Sequence, residues 1–236
     1  MAEHEFFMQK CLDLAICGIG VVSPNPMVGC VIVVEGRIIG EGYHQNYGGP
    51  HAEANAIESV ITNYSNADQL LRKATLYVNL EPCAHFGKRP PCSDLIILHK
   101  IPKVVVGCSD PFNLVDGKGI EKLKNAGIFV SQNILKDVCI RFNKRFFSYV
   151  QKQRPYIILK WAQTADHFFA PVDKTQHWIS SKESKMLVHK WRSEEDAVLI
   201  GKNTALIDDP QLNVRCWKGR NPIRIIIDRN LQLPKF

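Results

Sequence analysis

Segments with strand-like and helix-like patterns alternate through residues 1–150, and this alternation restricts the fold more than any other feature of the sequence. Near the N-terminus, Phe7, Cys11 and Leu14 recur at helical spacing. Two short apolar runs then flank Glu35 and Gly36, which predicts a β-hairpin. The predicted strands are 28–34, 37–44, 74–80, 103–108 and 128–131, and the predicted helices are 4–19, 51–61, 93–100, 120–126 and 134–150. Alternation of this kind predicts a layered α/β domain.

A polar, basic segment at 151–155 ends in proline and is predicted to link this domain to a second one. Beyond it the pattern restarts, with a predicted strand at 156–162, a helix at 181–195 and strands at 196–201 and 222–228. We therefore predict two domains of the α/β class, 1–150 and 151–236. The second stops directly after a strand and is small for a complete α/β domain, so we expect it to be incomplete.

The composition predicts a globular protein with at least one sizeable core, because 45% of its 236 residues are hydrophobic and 22% are charged. The longest apolar runs are far shorter than the roughly 20 residues that cross a bilayer. No basic and then apolar leader opens the chain, so we expect a cytoplasmic protein that does not bind membranes. The net charge is +7, but the basic residues are scattered, and an acidic small-molecule substrate explains them as well as nucleic acid does.

The eight cysteines are interpreted as free thiols, because a chain of this size and apolar content needs no disulfide framework. Cys83 and Cys92 differ from the rest because they lie among prolines, glycine and histidine. The other six lie in helix-like or strand-like patterns and are predicted to be small buried hydrophobes: Cys11, Cys17, Cys30, Cys108, Cys139 and Cys216.

His51, Cys83 and Cys92 offer the nitrogen and sulfur ligands that zinc prefers, and three protein ligands leave a fourth position for water. Zinc lowers the pKa of such a water to near neutral. Glu53 is predicted to face the same opening and to carry protons to the ring nitrogen and the leaving amine. His-x-Glu followed by two cysteines is typical of zinc-dependent deaminases, although eight residues separate the cysteines here. The alternative is a closed structural site with His85 as fourth ligand, which would leave Glu53 without a role.

Several longer motifs resemble the bifunctional deaminase/reductases of riboflavin biosynthesis. In the first domain these are PNPMVGCVIV (24–33), GYH (42–44), HAE (51–53) and LEPCAHFGKRPPC (80–92). In the second they are LKWAQTAD (159–166), WIS (178–180), VLIGKNTALIDDPQLNVR (198–215) and PIRIIID (222–228). The resemblance covers almost the whole chain, and the long gap between the cysteines distinguishes it from cytidine and transfer-RNA adenosine deaminases.

The resemblance implies a cytidine-deaminase-like three-layer domain followed by an incomplete dihydrofolate-reductase-like α/β domain. The first would use Zn2+ to hydrolyse the 2-amino group of a diaminopyrimidinone that carries a phosphoribosylamino side chain. The second would then use NADPH to reduce the ribosyl group to ribityl. The implied partner is a phosphorylated pyrimidine, and homo-oligomer formation stays open.

By the same resemblance, Asn25 and His44 would flank the pyrimidine. His85 and Lys88 would reach the substrate phosphate, which needs cationic donors nearby; on sequence alone, a solvated loop lysine is an equal interpretation of Lys88. In the second domain the implied NADPH contacts are Ala162, Trp178, Thr204, Asp208 and Arg229, and the implied substrate contacts are Gln176, Arg192, Leu212 and Arg215.

Some of these second-domain residues have ordinary structural interpretations. On sequence alone Trp178 would be a core residue, and Asp208 would form a turn or a helix cap before a proline. Arg192 and Arg215 offer planar donor forks for a phosphate. Their alternatives are a helix-end arginine and a loop arginine in a surface ion pair.

The chain departs from the family pattern at four places. Phe112 stands where an asparagine contact is expected, so that contact is lost or displaced to residue 113. His167 replaces a glycine at a position where the backbone needs unusual angles, and Gln176 replaces a serine at an implied substrate contact. The chain also ends at Phe236, where the family reductase domain continues for on the order of 100 further residues. We therefore expect deamination to proceed and reductase turnover to be weak or absent.

Two other functions stay open. A nucleobase, nucleoside or tRNA deaminase would share the zinc chemistry, but the insert between the cysteines and the second domain both argue against it. A nucleic-acid-binding module with a structural zinc would show salt-sensitive binding and a four-ligand site. No aromatic and basic stripe in the sequence supports that module, so we expect no nucleic-acid partner.

Overall fold

A computed structural model of the chain describes residues 3–86, 90–112, 117–172, 175 and 178–233. The chain divides into two compact units, Met1–Tyr156 and Ile157–Phe236. Over the residues that the structure describes, each unit has its own β-sheet, of five strands in the first and two in the second. Within the described residues, no helix combines the length and the apolar character that crossing a bilayer requires.

The first unit contains, in chain order, α1 (Glu3–Ala15), a 3-10 turn (Ile16–Gly18), β1 (Gly29–Val34), β2 (Arg37–Tyr43), α2 (Ala52–Asn63), α3 (Ala67–Leu71), β3 (Thr75–Leu80), α4 (Cys92–Leu98), β4 (Lys103–Cys108), α5 (Lys118–Asn125), β5 (Phe129–Ser131), α6 (Lys136–Phe142) and α7 (Lys144–Lys152). The predicted hairpin and the predicted alternation of strands and helices are confirmed. The short helix α3 is an element that the sequence pattern did not predict.

The sheet has the strand order β2-β1-β3-β4-β5 and carries helices on both faces. β1 is antiparallel to β2 and β3, whereas β3, β4 and β5 run parallel. Successive residues of β1 point to opposite faces, so Cys30 and Ile32 pack with α2, α4 and α5, and Val31 and Val33 pack with α1, α6 and α7. The predicted layered α/β architecture is therefore confirmed as three layers.

Helix α2 lies directly on β2 because two glycines leave room for its backbone. A Cβ atom on Gly40 would lie 2.7 Å from the carbonyl oxygen of Ala56, and one on Gly42 would lie 2.3 Å from the Ala56 nitrogen. Real Cβ atoms do not approach backbone atoms so closely, so side chains at these positions would push the helix outward. The two glycines therefore fix the height of α2 above the sheet.

The prediction of one helix over 134–150 is wrong, because α6 and α7 are separated at Asn143. The Asn143 side chain is buried and points into the unit, where Oδ1 accepts the Met27 N–H at 2.9 Å and Nδ2 donates to the Met27 carbonyl oxygen at 2.9 Å. The Asn143 backbone departs from helical angles, with φ of −97° and ψ of 27°. This contact with a residue far away in the chain is the physical reason for the break.

The second unit contains α8 (Lys182–Glu194), β6 (Ala197–Gly201), α9 (Lys202–Asp208) and β7 (Ile223–Ile227), and β6 pairs with β7 in parallel. The Ser181 Oγ accepts the Ser184 N–H at 3.2 Å and caps α8. The predicted strand at 156–162 is wrong. A strand needs a hydrogen-bonded neighbour, and in the described part of the chain β6 and β7 pair only with each other.

Four of the six cysteines predicted to be buried are buried, namely Cys11, Cys30, Cys108 and Cys139. The prediction is wrong for the other two. Cys17 is exposed because it lies in the 3-10 turn beyond α1, and Cys216 is exposed in an irregular segment between α9 and β7.

Candidate active site

Three elements of the first unit bring His51, Cys83 and Cys92 together. His51 is the N-cap residue of α2, Cys83 follows the end of β3, and Cys92 is the first residue of α4. The His51 Nδ1 atom lies 3.6 Å from the Cys83 Sγ and 3.3 Å from the Cys92 Sγ. The predicted ligands, which are up to 41 residues apart in sequence, therefore converge at one point.

The spacing of these three atoms fits a zinc ion. In tetrahedral geometry, Zn–S bonds of about 2.3 Å and Zn–N bonds of about 2.0 Å hold the ligand atoms about 3.5–3.8 Å apart. The three ligand atoms lie within 4.8 Å of one another, and this cluster of described residues does not include His85. A hydrogen bond from the Cys92 side chain lowers the pKa of Cys83, which favours the thiolate that a metal requires. The donor set is thus that of a three-ligand site.

Glu53 lies in the first turn of α2 and is 3% exposed. Burial raises the pKa of its carboxyl group above the usual value, and the charge of His51 opposes this shift. A carboxyl group whose pKa is raised towards neutrality can both accept and return a proton. The position of Glu53 therefore suits the predicted proton transfer.

Asn25 and His44 form a hydrogen-bonded pair beside this cluster. His44 Nδ1 lies 2.9 Å from the Pro50 carbonyl oxygen, which can only accept, so Nδ1 carries the proton. His44 Nε2 is then the acceptor for the Asn25 Nδ2 group at 3.0 Å. Burial lowers the pKa of His44 and so favours this neutral form. The His44 ring lies 5.3 Å from the His51 ring, centroid to centroid, so the pair borders the predicted metal ligands.

His85 lies in the loop between the two cysteines, and its Nδ1 atom is buried with no hydrogen-bond partner among the described residues. The Phe112 ring, which stands where the family has an asparagine, lies 6.1 Å from the His85 ring between centroids. Lys88, the other residue expected to reach the phosphate, and Asn113, the alternative for the displaced asparagine, lie outside the described residues. A buried polar atom without a partner is a position that a ligand can satisfy.

The second unit brings together the two arginines expected to bind substrate. Arg192, in the last turn of α8, donates to the Asn213 carbonyl oxygen at 3.3 Å, and Arg215 donates to the Asn213 Oδ1 at 3.0 Å. His189 is 4% exposed, and its Nδ1 atom accepts the backbone N–H of Arg215 at 3.3 Å. Burial, and then the charge of Arg215, lower the pKa of Arg192. Two arginine side chains held close together in this way favour the binding of an anion between them.

The residues expected to contact NADPH are spread over several elements of the second unit. Thr204 and Asp208 lie on α9, where Asp208 is the last helical residue, and Arg229 follows β7. Ala162 lies in the irregular segment before α8. The core interpretation of Trp178 is wrong, because this side chain is 59% exposed, with the Lys185 Nζ atom 3.4 Å from its ring centroid.

The remaining expectations for the second unit divide between described and undescribed residues. Leu212 is buried and lines a cavity of about 160 Å³ together with Pro210 and Arg224. His167 adopts a φ of 68°, the left-handed angle for which a glycine is suited, as predicted. Gln176 lies outside the described residues.

Sequence reasoning missed four buried polar residues around these sites. Asn79, Glu81 and Asn143 support the first site through backbone hydrogen bonds, and His189 supports the arginines of the second. One signal was available for Glu81, because a carboxylate directly after a mostly apolar strand implies dedicated partners. No local signal distinguishes the asparagines from surface residues.

Comparison with known families supports both halves of this description. Residues 1–108 match the cytidine and deoxycytidylate deaminase zinc-binding region, and residues 155–235 match the RibD C-terminal domain. The first match covers all three predicted zinc ligands. Both predicted fold types are thereby confirmed.

Individual relatives agree with these matches. The chain is 46% identical to the riboflavin biosynthesis protein RibD of Aquifex aeolicus, over 97% of this chain and 62% of the relative. It is 38% identical to the RibD protein of Escherichia coli, over 96% of this chain and 63% of the relative. The chain thus spans about three fifths of the length of the curated relatives it matches.

A solved structure extends the likeness to the fold. The crystal structure of a diaminohydroxyphosphoribosylaminopyrimidine deaminase/5-amino-6-(5-phosphoribosylamino)uracil reductase from Thermotoga maritima is 45% identical, with a TM-score of 0.90. The match covers 97% of this chain and 64% of that protein. The resemblance predicted from the motifs is therefore confirmed: over nearly its whole length the chain is similar to RibD proteins of riboflavin biosynthesis.

Proposed function

We propose that residues 1–150 form a zinc-dependent deaminase domain of riboflavin biosynthesis. Its substrate is a diaminopyrimidinone with a phosphoribosylamino side chain, from which it hydrolyses the 2-amino group. The observation that carries this proposal is the convergence of His51, Cys83 and Cys92 beside the buried carboxyl group of Glu53. Three ligands with an adjacent acid suit hydrolysis, whereas a structural zinc site has four protein ligands.

When bound, zinc supplies an activated water and a Lewis acid for hydrolysis. Glu53 is the proton carrier in this mechanism. Its carboxylate would take up a proton from the attacking water and pass it to the ring nitrogen, and would then take up the proton of the added hydroxyl group and pass it to the leaving amino group. Burial excludes bulk water from Glu53, which keeps these protons between the substrate and the carboxylate.

The substrate is held at two ends in this proposal. Asn25 and His44 border the pyrimidine, and the hydrogen bond between them leaves the Asn25 carbonyl oxygen available to accept from a substrate N–H. His85 and Lys88 hold the phosphate. The unpartnered His85 Nδ1 supports this role, because a phosphate oxygen would satisfy it.

We further propose that residues 151–236 are part of an NADPH-dependent reductase domain that reduces the ribosyl side chain to ribityl. Arg192 and Arg215 would hold the substrate phosphate, and their shared partner Asn213 supports this assignment. Gln176 and Leu212 complete the proposed substrate contacts. The proposed NADPH contacts are Ala162, Trp178, Thr204, Asp208 and Arg229.

The proposed partner is a phosphorylated small molecule, in the cytoplasm, with neither nucleic acid nor a membrane involved. A nucleobase or tRNA deaminase is the competing activity, and ammonia release from guanine, cytidine and tRNA tests it. The proposal is supported if ammonia is released from the diaminopyrimidinone and from none of these three competing substrates. Analytical ultracentrifugation of the same preparation determines whether the chain forms a homo-oligomer.

The decisive variant is Glu53→Ala, with Glu58→Ala as its matched control on the exposed face of α2. We expect Glu53→Ala to keep its zinc, measured by metal analysis, and to lose ammonia release by at least about a hundredfold. Glu58→Ala should keep both. Full activity in Glu53→Ala would overturn the proposed mechanism, and NADPH oxidation recorded in parallel tests the reductase proposal separately.

A further inference from the structure

Glu81 is a buried acidic residue that the proposed mechanism does not use. It follows β3 directly and is 4% exposed. Its Oε2 atom accepts the N–H groups of Asp110 at 3.3 Å and Gly117 at 3.1 Å. Its Oε1 atom accepts those of Gly119 at 3.0 Å and Ile120 at 3.2 Å. Four backbone donors are therefore held by one carboxylate.

These donors lie at both ends of the connection between β4 and α5. The first-turn N–H groups of a helix have no acceptor within the helix, and a buried carboxylate needs hydrogen bonds to offset its lost hydration. Each requirement satisfies the other. Glu81 consequently fixes where the connection leaves β4 and where it enters α5.

The backbone of α5 is also in direct contact with the chain that leads to the zinc ligand Cys83. A Cβ atom on Gly119 would lie 1.9 Å from the Pro82 carbonyl oxygen. Gly119 therefore contacts two neighbouring residues, because its N–H donates to Glu81 and its Cα lies against the carbonyl oxygen of Pro82. The start of α5 is therefore held against the residues that enter the site.

The connection reaches the phosphate side of the site through Phe112. The Asp110 Oδ1 atom accepts the Phe112 N–H at 2.8 Å, so that the residue held by Glu81 in turn orients Phe112. The Phe112 ring lies 6.1 Å from the His85 ring between centroids. No hydrogen bond to His85 Nδ1 holds the ring among the described residues, so packing against Phe112 contributes to the orientation of His85.

We propose that Glu81 is a positioning residue for the phosphate side of the deaminase site, acting through Asp110 and Phe112 on His85. This inference rests on the proposed function for its kinetic consequence and on hydrogen bonding alone for its structural one. Loss of Glu81 should weaken substrate binding, because the phosphate contact is misplaced. It should leave the zinc ligands and the turnover of bound substrate nearly unchanged.

The test compares Glu81→Gln, Phe112→Ala and the double variant. Glutamine keeps the shape of the side chain but turns an NH2 group towards two backbone donors, so two hydrogen bonds are lost. We expect each single variant to raise the KM for ammonia release about tenfold, equivalent to about 1.4 kcal/mol, with kcat within about twofold of wild type. If Glu81 acts through Phe112, the double variant should also show about a tenfold rise, whereas independent roles would give about a hundredfold rise.

Hydrogen exchange gives a readout that does not depend on activity. In Glu81→Gln one pair of amides, either Asp110 with Gly117 or Gly119 with Ile120, should lose protection, because the NH2 group replaces one of the two acceptor oxygens; the amides within β4 should keep their protection. Val105→Ala, a core truncation in β4, is the matched control for general destabilisation, and its KM should equal that of wild type.

Retained protection at all four of these amides overturns the inference whether or not the wild-type chain releases ammonia. Absence of ammonia release from wild type overturns the proposed function instead. If Glu81→Gln does not fold, Phe112→Ala still decides the kinetic claim, because the Phe112 side chain is 40% exposed and lies outside the hydrophobic core clusters. An unchanged KM in Phe112→Ala overturns the claim.

Discussion

The backbone of Met27 is held by two buried asparagine side chains that come from distant parts of the chain. Asn143 accepts the Met27 N–H and donates to the Met27 carbonyl oxygen, both at 2.9 Å. Asn79 donates to the same carbonyl oxygen at 3.1 Å and accepts the Gly29 N–H at 2.8 Å. The perturbation is removal of each amide, in Asn143→Ala, Asn79→Ala and the double variant.

The shared carbonyl oxygen makes the two substitutions non-additive. Each single variant leaves one buried N–H without an acceptor, that of Met27 or that of Gly29, at a cost of about 1–3 kcal/mol. The Met27 carbonyl oxygen keeps one donor in both single variants and loses both donors only in the double variant. The double variant should therefore be less stable than the sum of the singles by about a further 1–3 kcal/mol. The free-energy cost of the cavity that each substitution leaves appears in both a single variant and the double variant, so it cancels in this double-mutant cycle.

The assay must report on the first unit, and tryptophan fluorescence cannot, because all four tryptophans lie between residues 161 and 217. Hydrogen exchange of peptides that cover β1 and β3 gives the opening free energy locally. A coupling free energy below about 0.5 kcal/mol would refute the reasoning, because the two amides would then act independently.

Two further predictions concern crowding and pH. Gly119→Ala should cost about 1–3 kcal/mol and speed the release of zinc to a chelator, because its Cβ would collide with the Pro82 carbonyl oxygen. Gly127→Ala is the control for backbone strain alone, because φ is 81° there and an added Cβ would have no other described residue within 4 Å apart from its chain neighbours. Equal zinc release from both variants would contradict the argument. Burial, and then the charges of two neighbouring arginines, lower the pKa of His189 below its usual value of about 6.5, so the unfolded chain binds the proton more readily. The contribution of neutral His189 to stability is therefore complete above about pH 6.5 and is lost as the pH falls through the folded-state pKa. Urea unfolding followed by tryptophan fluorescence at about pH 7.5 and about pH 5 should show this loss of stability in wild type but not in His189→Gln.

The elements that carry the proposed zinc ligands were predictable because their signals are local. The turn before His51, the apolar strand before Cys83 and the proline before Cys92 each mark an element boundary within a few residues. Zinc chemistry then required the three residues to meet. The proposed role of Glu53 followed from its position two residues after His51.

The break between α6 and α7 was not predictable, because its cause is a hydrogen bond from Asn143 to a residue 116 positions away. A helical pattern carries no information about such a partner. The segment 156–162 fails as a strand for a related reason. Its composition favours a strand, but pairing depends on a neighbour that the segment itself does not specify.

Gly40 and Gly42 have no part in the proposed chemistry, yet they determine where one of the proposed zinc ligands, His51, can lie. They admit the backbone of α2 against β2, and α2 carries His51 at one end and Glu53 in its first turn. The positions of His51 and Glu53 therefore depend partly on the absence of side chains at positions 40 and 42. As the sequence drifts, the exposed position 41 between them can exchange side chains without moving the site, whereas 40 and 42 have only one residue that leaves it in place.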